Sequence, residues 1–186
     1  MKGKGLIIVV VVVLLVAALF GTTYNKLVGL REEVKNKAAD IDTYLQRRAD
    51  LIPNLVETVK GYVKHEQAAI DSVTNARAAL VGAKTIEEKA KANDDLSSAI
   101  SRLLVIAENY PKLEANTTFI NLQDELAGSE NRIATARKDY NDAVKAYNGS
   151  VKKFPSNIIA GMFNFEEEAY FEAKETAKDV PEVNFD

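Results

Sequence analysis

Apolar positions along the chain fall into one solid block followed by four spaced stripes. The block is the uninterrupted run Leu6 to Phe20, preceded by Lys2 and Lys4. Extended by Gly5 and by Gly21, Thr22, Thr23 and Tyr24, it reaches the ~20 residues that a helix needs to cross hydrocarbon. A cleaved signal peptide, whose apolar part is about 7–15 residues long, would need small residues at the third and first positions before the cut. The stretch Val16-Ala17-Ala18-Leu19-Phe20-Gly21-Thr22 offers no good pair with that spacing. A helical pattern also continues from Tyr24 without a turn, so a retained anchor is expected.

Beyond the anchor, Leu27, Leu30, Val34, Ala38, Ile41, Leu45 and Arg48 recur at spacings of three and four, the period of a helix with one buried face. Pro53 predicts the end of this first helix, because the residue before a proline disfavours helical backbone. A second stripe runs Leu55, Val59, Tyr62, Glu66, Ala69, Val73, Ala76 and Leu80, and stops at Gly82. The third follows a capping Thr85, with Glu87 and Glu88 in its first turn where they suit the helix dipole. Its stripe is Leu96, Ile100, Leu103, Ala107 and Tyr110, ending before Pro111. The fourth starts near Asn116 and Thr117 and runs Leu122, Leu126, Ser129, Ile133, Ala136, Tyr140, Ala143, Tyr147, Val151 and Phe154, closed by Pro155. No useful length alternates with period two. The fold class expected is therefore all-α, an N-terminal transmembrane helix continuing into an antiparallel up-and-down four-helix bundle. The matching division is a basic tail at 1–5, an anchor at 6–23, a bundle at 24–155 and an extension at 156–186.

Charge and composition remove several functions. Lys and Arg total 24 against 27 Asp and Glu, a net charge of -3 that does not favour nucleic acid as a partner. With no cysteine there is no disulfide, thiolate metal site or Cys nucleophile. A carboxylate-bridged di-iron site needs Glu-x-x-His on two helices. The one histidine, His65, has Tyr62 three positions before it. No phosphate loop or nucleophile elbow is present either. No catalytic residue, cofactor or metal is expected, and the protein reads as non-enzymatic. The tyrosines facing small residues, and Glu66 on its apolar seam, read as packing with hydroxyls sent to polar partners.

Two groups of residues stand out. Arg47, Arg48, Asp50 and Asn54 form the densest polar cluster around the Pro53 break. They read as structural, the arginines satisfying the last carbonyls of the first helix and pairing with carboxylates across the bundle. After Pro155 come Ile158, Ile159, Met162, Phe163 and Phe165, interrupted by Gly161. Counting turns of an up-and-down bundle brings the fourth helix back toward the membrane, so this segment is expected to contact lipid or another subunit there. The plainer alternative is a strap over the bundle. From Glu166 to Asp186 the chain is acidic, with eight carboxylates against Lys174 and Lys178.

The chain resembles the bacterial LemA family. The resemblance is carried by Tyr24-Asn25-Lys26-Leu27-Val28, by Gln46 through Val56, by Lys60-Gly61-Tyr62, His65-Glu66 and Glu108-Asn109-Tyr110-Pro111, and by Gln123-Asp124-Glu125-Leu126. Glu130-Asn131-Arg132-Ile133, Ala136-Arg137, Asp139-Tyr140-Asn141 and Phe154-Pro155-Ser156-Asn157 continue it. It covers nearly the whole chain and departs at Ala38, near which family members usually carry a tryptophan. It implies a membrane-tethered four-helix bundle with no established enzymatic activity, in the inner membrane of a bacterial cell. The partners expected are the lipid bilayer, further copies in a homo-oligomer, and another membrane protein such as a protease or transporter. Lys2, Lys4 and the α-amine against Lys26, Arg31 and Lys35 lean toward the N-terminus inside and the bundle outside.

Overall fold

The computed structural model describes residues 2–63 and 65–172, with side chains from residue 7. Every regular element among them is helical. In order they are α1 (Lys2–Lys60), α2 (Gln67–Gly82), α3 (Ile86–Ala107), α4 (Pro111–Glu114), α5 (Thr117–Lys152) and α6 (Ser156–Met162). The acidic residues expected at Glu175, Asp179, Glu182 and Asp186, with Lys174 and Lys178, lie outside the described residues.

The break expected at Pro53 is corrected: α1 passes straight through it and ends at Lys60. A proline inside a helix leaves the carbonyl four residues earlier without its N–H donor. Here that carbonyl belongs to Ala49, and Nε of Arg77 in α2 donates to it at 2.7 Å. The guanidinium thus replaces the bond that Pro53 removes. The second helix accordingly begins at Gln67 rather than near Leu55, and the Arg47 and Arg48 side chains have no terminal carbonyls to cap.

The α3 start follows from local chemistry. The Thr85 hydroxyl accepts from the Glu88 N–H at 3.2 Å, while the Glu88 carboxylate accepts from the Thr85 and Lys84 N–H groups at 3.1 and 2.7 Å. This reciprocal pair is a capping box that satisfies donors every helix start exposes. The short α4, which the pattern did not predict, starts on Pro111, a residue whose missing N–H costs nothing in a first turn.

The described chain groups into two compact units, residues 2–37 with 139–169, and 38–138 with 170–172. In the second unit the later part of α1, α2, α3 and the earlier part of α5 are tied pairwise. Lys89 on α3 reaches Asp42 on α1 at 2.6 Å, Arg47 on α1 reaches Glu125 on α5 at 2.7 Å, and Arg102 on α3 donates to Ser72 on α2 at 3.2 Å. These links are compatible with the expected four-helix bundle. Its core is built from Ile41, Ile52, Leu55, Val73, Leu96, Leu103, Phe119 and Ile133, all 1% exposed or less.

In the first unit, α1 carries Leu27 and Val34 inward, and α5 carries Val144 and Tyr147. The chain after α6 runs as an extended strap. Asn148 on α5 fixes it with a two-way amide pair, donating to the Glu168 carbonyl at 2.8 Å and accepting the Glu168 N–H at 2.9 Å. The Tyr140 hydroxyl donates to the Ala169 carbonyl at 2.8 Å. Strand-like backbone without a partner strand must find such side-chain partners when it is covered. The first helix of this unit, from Ile7, is long and apolar enough to cross a membrane, and none of its apolar window is buried against protein.

Candidate functional site

Of the polar cluster around Pro53, only Arg48 is drawn inside. It is 4% exposed, donates through Nη1 to Asn93 Oδ1 at 2.5 Å and forms an ion pair with Glu130. Burial pulls the Arg48 guanidinium below its ordinary pKa, and the negative charges of Glu130 and Asp94 push back. An arginine stays charged under such a shift, because its reference value stands so far above neutrality. Its Nε and the Nδ2 of Asn93 have no hydrogen-bond partner. Arg137 on α5 comes to 4.0 Å from Asp94 on α3, so the network spans three helices.

The other three members of the cluster are elsewhere. Arg47 pairs with Glu125 on the surface, and Asp50 accepts from Gln46 one turn before it at 2.7 Å. Asn54 is exposed, with its carbonyl accepting from the Thr58 hydroxyl. Asn93 and Ser129 are polar residues buried at 0% and 3% exposure. Ser129 was on the fourth stripe by spacing; Asn93 gave no signal. A surface groove of about 250 Å³ beside α1 is lined by Leu45, Ala49, Leu80 and the paired Asp42 and Lys89. Among the described residues no group of three or more His, Asp or Glu side chains is arranged to hold a metal.

The apolar residues after Pro155 divide into two faces. Ile159, Ala160 and Phe165 are buried, at 3%, 2% and 8% exposure. Ile158, Met162 and Phe163 are exposed at 50%, 64% and 52%, next to Phe154 at 80%. A seven-residue helix with large apolar side chains on both sides meets the protein on one side only. Aromatic contacts tie the end of this segment to α1. The Tyr24 ring lies 4.8 Å from Phe163 and 5.7 Å from Phe165, centroid to centroid, in tilted and edge-on geometries. The Arg31 guanidinium lies 5.9 Å above the Phe165 ring and 3.8 Å from the Glu168 carboxylate. Lys152 at the end of α5 reaches Glu167 at 2.7 Å.

Behind this segment sits an uncompensated group. Tyr147 is fully buried, and its hydroxyl has no hydrogen-bond partner. Burial raises its pKa; the positive charge of Arg31 opposes this, and Glu168 and Glu166 add to it.

The profile of the LemA family matches residues 37–185. The chain is similar to Magnetosome protein MamQ 2 of Paramagnetospirillum magneticum, 28% identical over 184 residues that cover 85% of this chain and 67% of the relative. It is similar to Magnetosome protein MamQ of Magnetospirillum gryphiswaldense, 27% identical over 184 residues with the same two shares. Protein LemA of Metamycoplasma hominis is 24% identical over 154 residues, covering 81% of this chain and 69% of its own length.

Proposed function

The chain belongs to the LemA family, and on that premise we propose that it is a membrane-anchored, non-enzymatic scaffold that self-associates at the surface of a bacterial inner membrane. The observation that carries the reading is α1. Its apolar first part is uncovered by protein, and the same helix runs on without interruption into the packed domain. A helix that runs on from the anchor into packed protein tethers that protein directly to the bilayer, which suits a scaffold. The buried charge adds to this: Arg48 is engaged by Asn93 and Glu130 on two other helices, as in a structural tie.

Self-association is supported within the anchor. Ala17 and Gly21 stand four residues apart, as do Ala18 and Thr22, and nothing lies within 4 Å of where a Gly21 Cβ would point. Small residues at that spacing let two helices approach closely in lipid, where packing rather than hydrophobic burial drives association. The five-residue basic start favours the N-terminus inside, with the domain outside. Photobleaching counts of the labelled full chain in lipid nanodiscs test this reading. More than one copy per disc is expected, reduced toward one by Gly21→Ile. Single copies at every loading would overturn self-association, and a stoichiometric foreign membrane protein recovered with the chain would favour an adaptor instead.

A further inference from the structure

We infer that α6, with Phe154 before it and Phe163 after it, lies on the lipid headgroup layer as a second membrane contact beside the anchor. The inference rests on the reading of residues 6–23 as that anchor and adds a surface to it.

The level of the segment is fixed by Tyr24. The apolar run ends at Phe20, and Tyr24 is four residues further along an unbroken helix, about 6 Å along the axis. The headgroup region adds about 5–8 Å to each side of a hydrocarbon core of about 30 Å. A tyrosine at that height stands in the aromatic belt that membrane helices place at the interface. The Phe163 ring is packed on Tyr24 at 4.8 Å, so it shares that level. Ile158 and Met162 are one helical turn apart and expose half or more of their surface, while Ile159 and Ala160 face the protein. The uncovered side is thus an apolar patch held at the height of the lipid surface by a contact to the anchor helix itself.

The occupant follows from that continuity. A bilayer that takes up Leu6–Phe20 must meet whatever is packed against Tyr24. Lys26 and Lys153 are exposed close by in the chain, and so are Glu166 and Glu167. With both signs present the contact depends on apolar and aromatic insertion, and neutral lipid suffices for it.

The chain has no tryptophan, so a single introduced one reports its own surroundings. Full-length Phe163→Trp and Met162→Trp proteins would be placed in phosphatidylcholine nanodiscs carrying a nitroxide at either a shallow or a deep acyl position. Val12→Trp, mid-anchor, and Asn36→Trp, twelve residues beyond Tyr24 or about 18 Å, serve as depth references. Both α6 variants are expected to lose about half their emission to the shallow quencher and clearly less to the deep one, as interfacial rings do. Val12→Trp should respond most to the deep quencher and Asn36→Trp to neither. If Val12→Trp responds while both α6 variants behave like Asn36→Trp, the surface contact is wrong and the anchor stands. If Val12→Trp is itself unquenched, the anchor fails and this inference with it. Emission from both α6 positions that ignores lipid and shifts to the blue only in discs with two copies would overturn the inference in favour of a subunit contact.

Discussion

Arg47 and Arg48 are neighbours in the chain with opposite surroundings, and their substitutions should differ accordingly. Arg48→Ala leaves the buried Asn93 without its partner and the part-exposed Glu130 to solvent, a loss of about 1–3 kcal/mol. Arg47→Ala removes a solvent-exposed pair with Glu125 and should cost about 0–1 kcal/mol. Chemical denaturation of the two variants checks the contrast; equal losses would contradict it. Tyr147 makes the reverse case. Its buried hydroxyl lacks a partner, so Tyr147→Phe should stabilise the protein by about 1 kcal/mol at neutral pH. The pH dependence has a defined sign. The folded pKa is raised by burial, so this group's contribution is fully present below the ordinary phenol value of about 10 and is lost as pH rises through the raised one. The advantage of Tyr147→Phe should therefore widen as pH rises above about 10, measured as the difference in Tm from the parent. Polar residues such as Asn93 and Asn148 were not legible in the sequence. Their burial is set by partners on other segments, a guanidinium for one and a stretch of backbone for the other, and an apolar pattern carries no trace of either.

Among the helices, the larger apolar residues of the stripes are mostly buried, while Leu30, Ala38, Ala76 and Ala143 are only partly covered and Ile70 and Val144, off the stripes, are buried. Leu27, Val34, Ile41 and Leu45 on α1 are all within 5% exposure. Tyr62 and Phe154, taken as the continuation of two stripes, are 39% and 80% exposed because α1 ends at Lys60 and α5 at Lys152. Pro53 failed as a terminator for a different reason. The preference of the residue before proline is a local bias that packing overrides, and the hydrogen bond that the proline also removes is supplied by a donor from α2. A double-mutant cycle tests this: Arg77→Ala alone should cost about 1–3 kcal/mol by orphaning the Ala49 carbonyl, and much less in a Pro53→Ala background where the backbone N–H returns. An unchanged cost would assign Arg77 another role. The α3 start was legible in full from Thr85 and Glu88. Its N–H partners hold the Glu88 carboxyl below its ordinary value. That contribution is present above the ordinary carboxylate range and lost as pH falls through the depressed folded value. The Tm gap between the parent and Glu88→Gln should close in acid.

For the molecule as a whole, the all-helical class and the apolar N-terminal helix were legible because both rest on periodicity and run length. The segment 158–165 was open in the sequence between lipid, subunit and protein contact. The structure divides it by side chain, with Ile159 and Phe165 buried and Ile158, Met162 and Phe163 exposed. The central claim is that α1 continues from the anchor into packed protein without a break. Gly21 and Gly29, with open space around both, are where such a helix would give way. The chain lacks native cysteine, so spin labels can be placed at Ala18 and Asn36 alone, eighteen residues apart and about 27 Å along a continuous helix. Pulsed electron–electron double resonance on the full chain in nanodiscs measures that separation directly. The account predicts one narrow distribution near that length. A broad distribution, or one with a second, shorter population, would show a hinge between membrane and domain and contradict it.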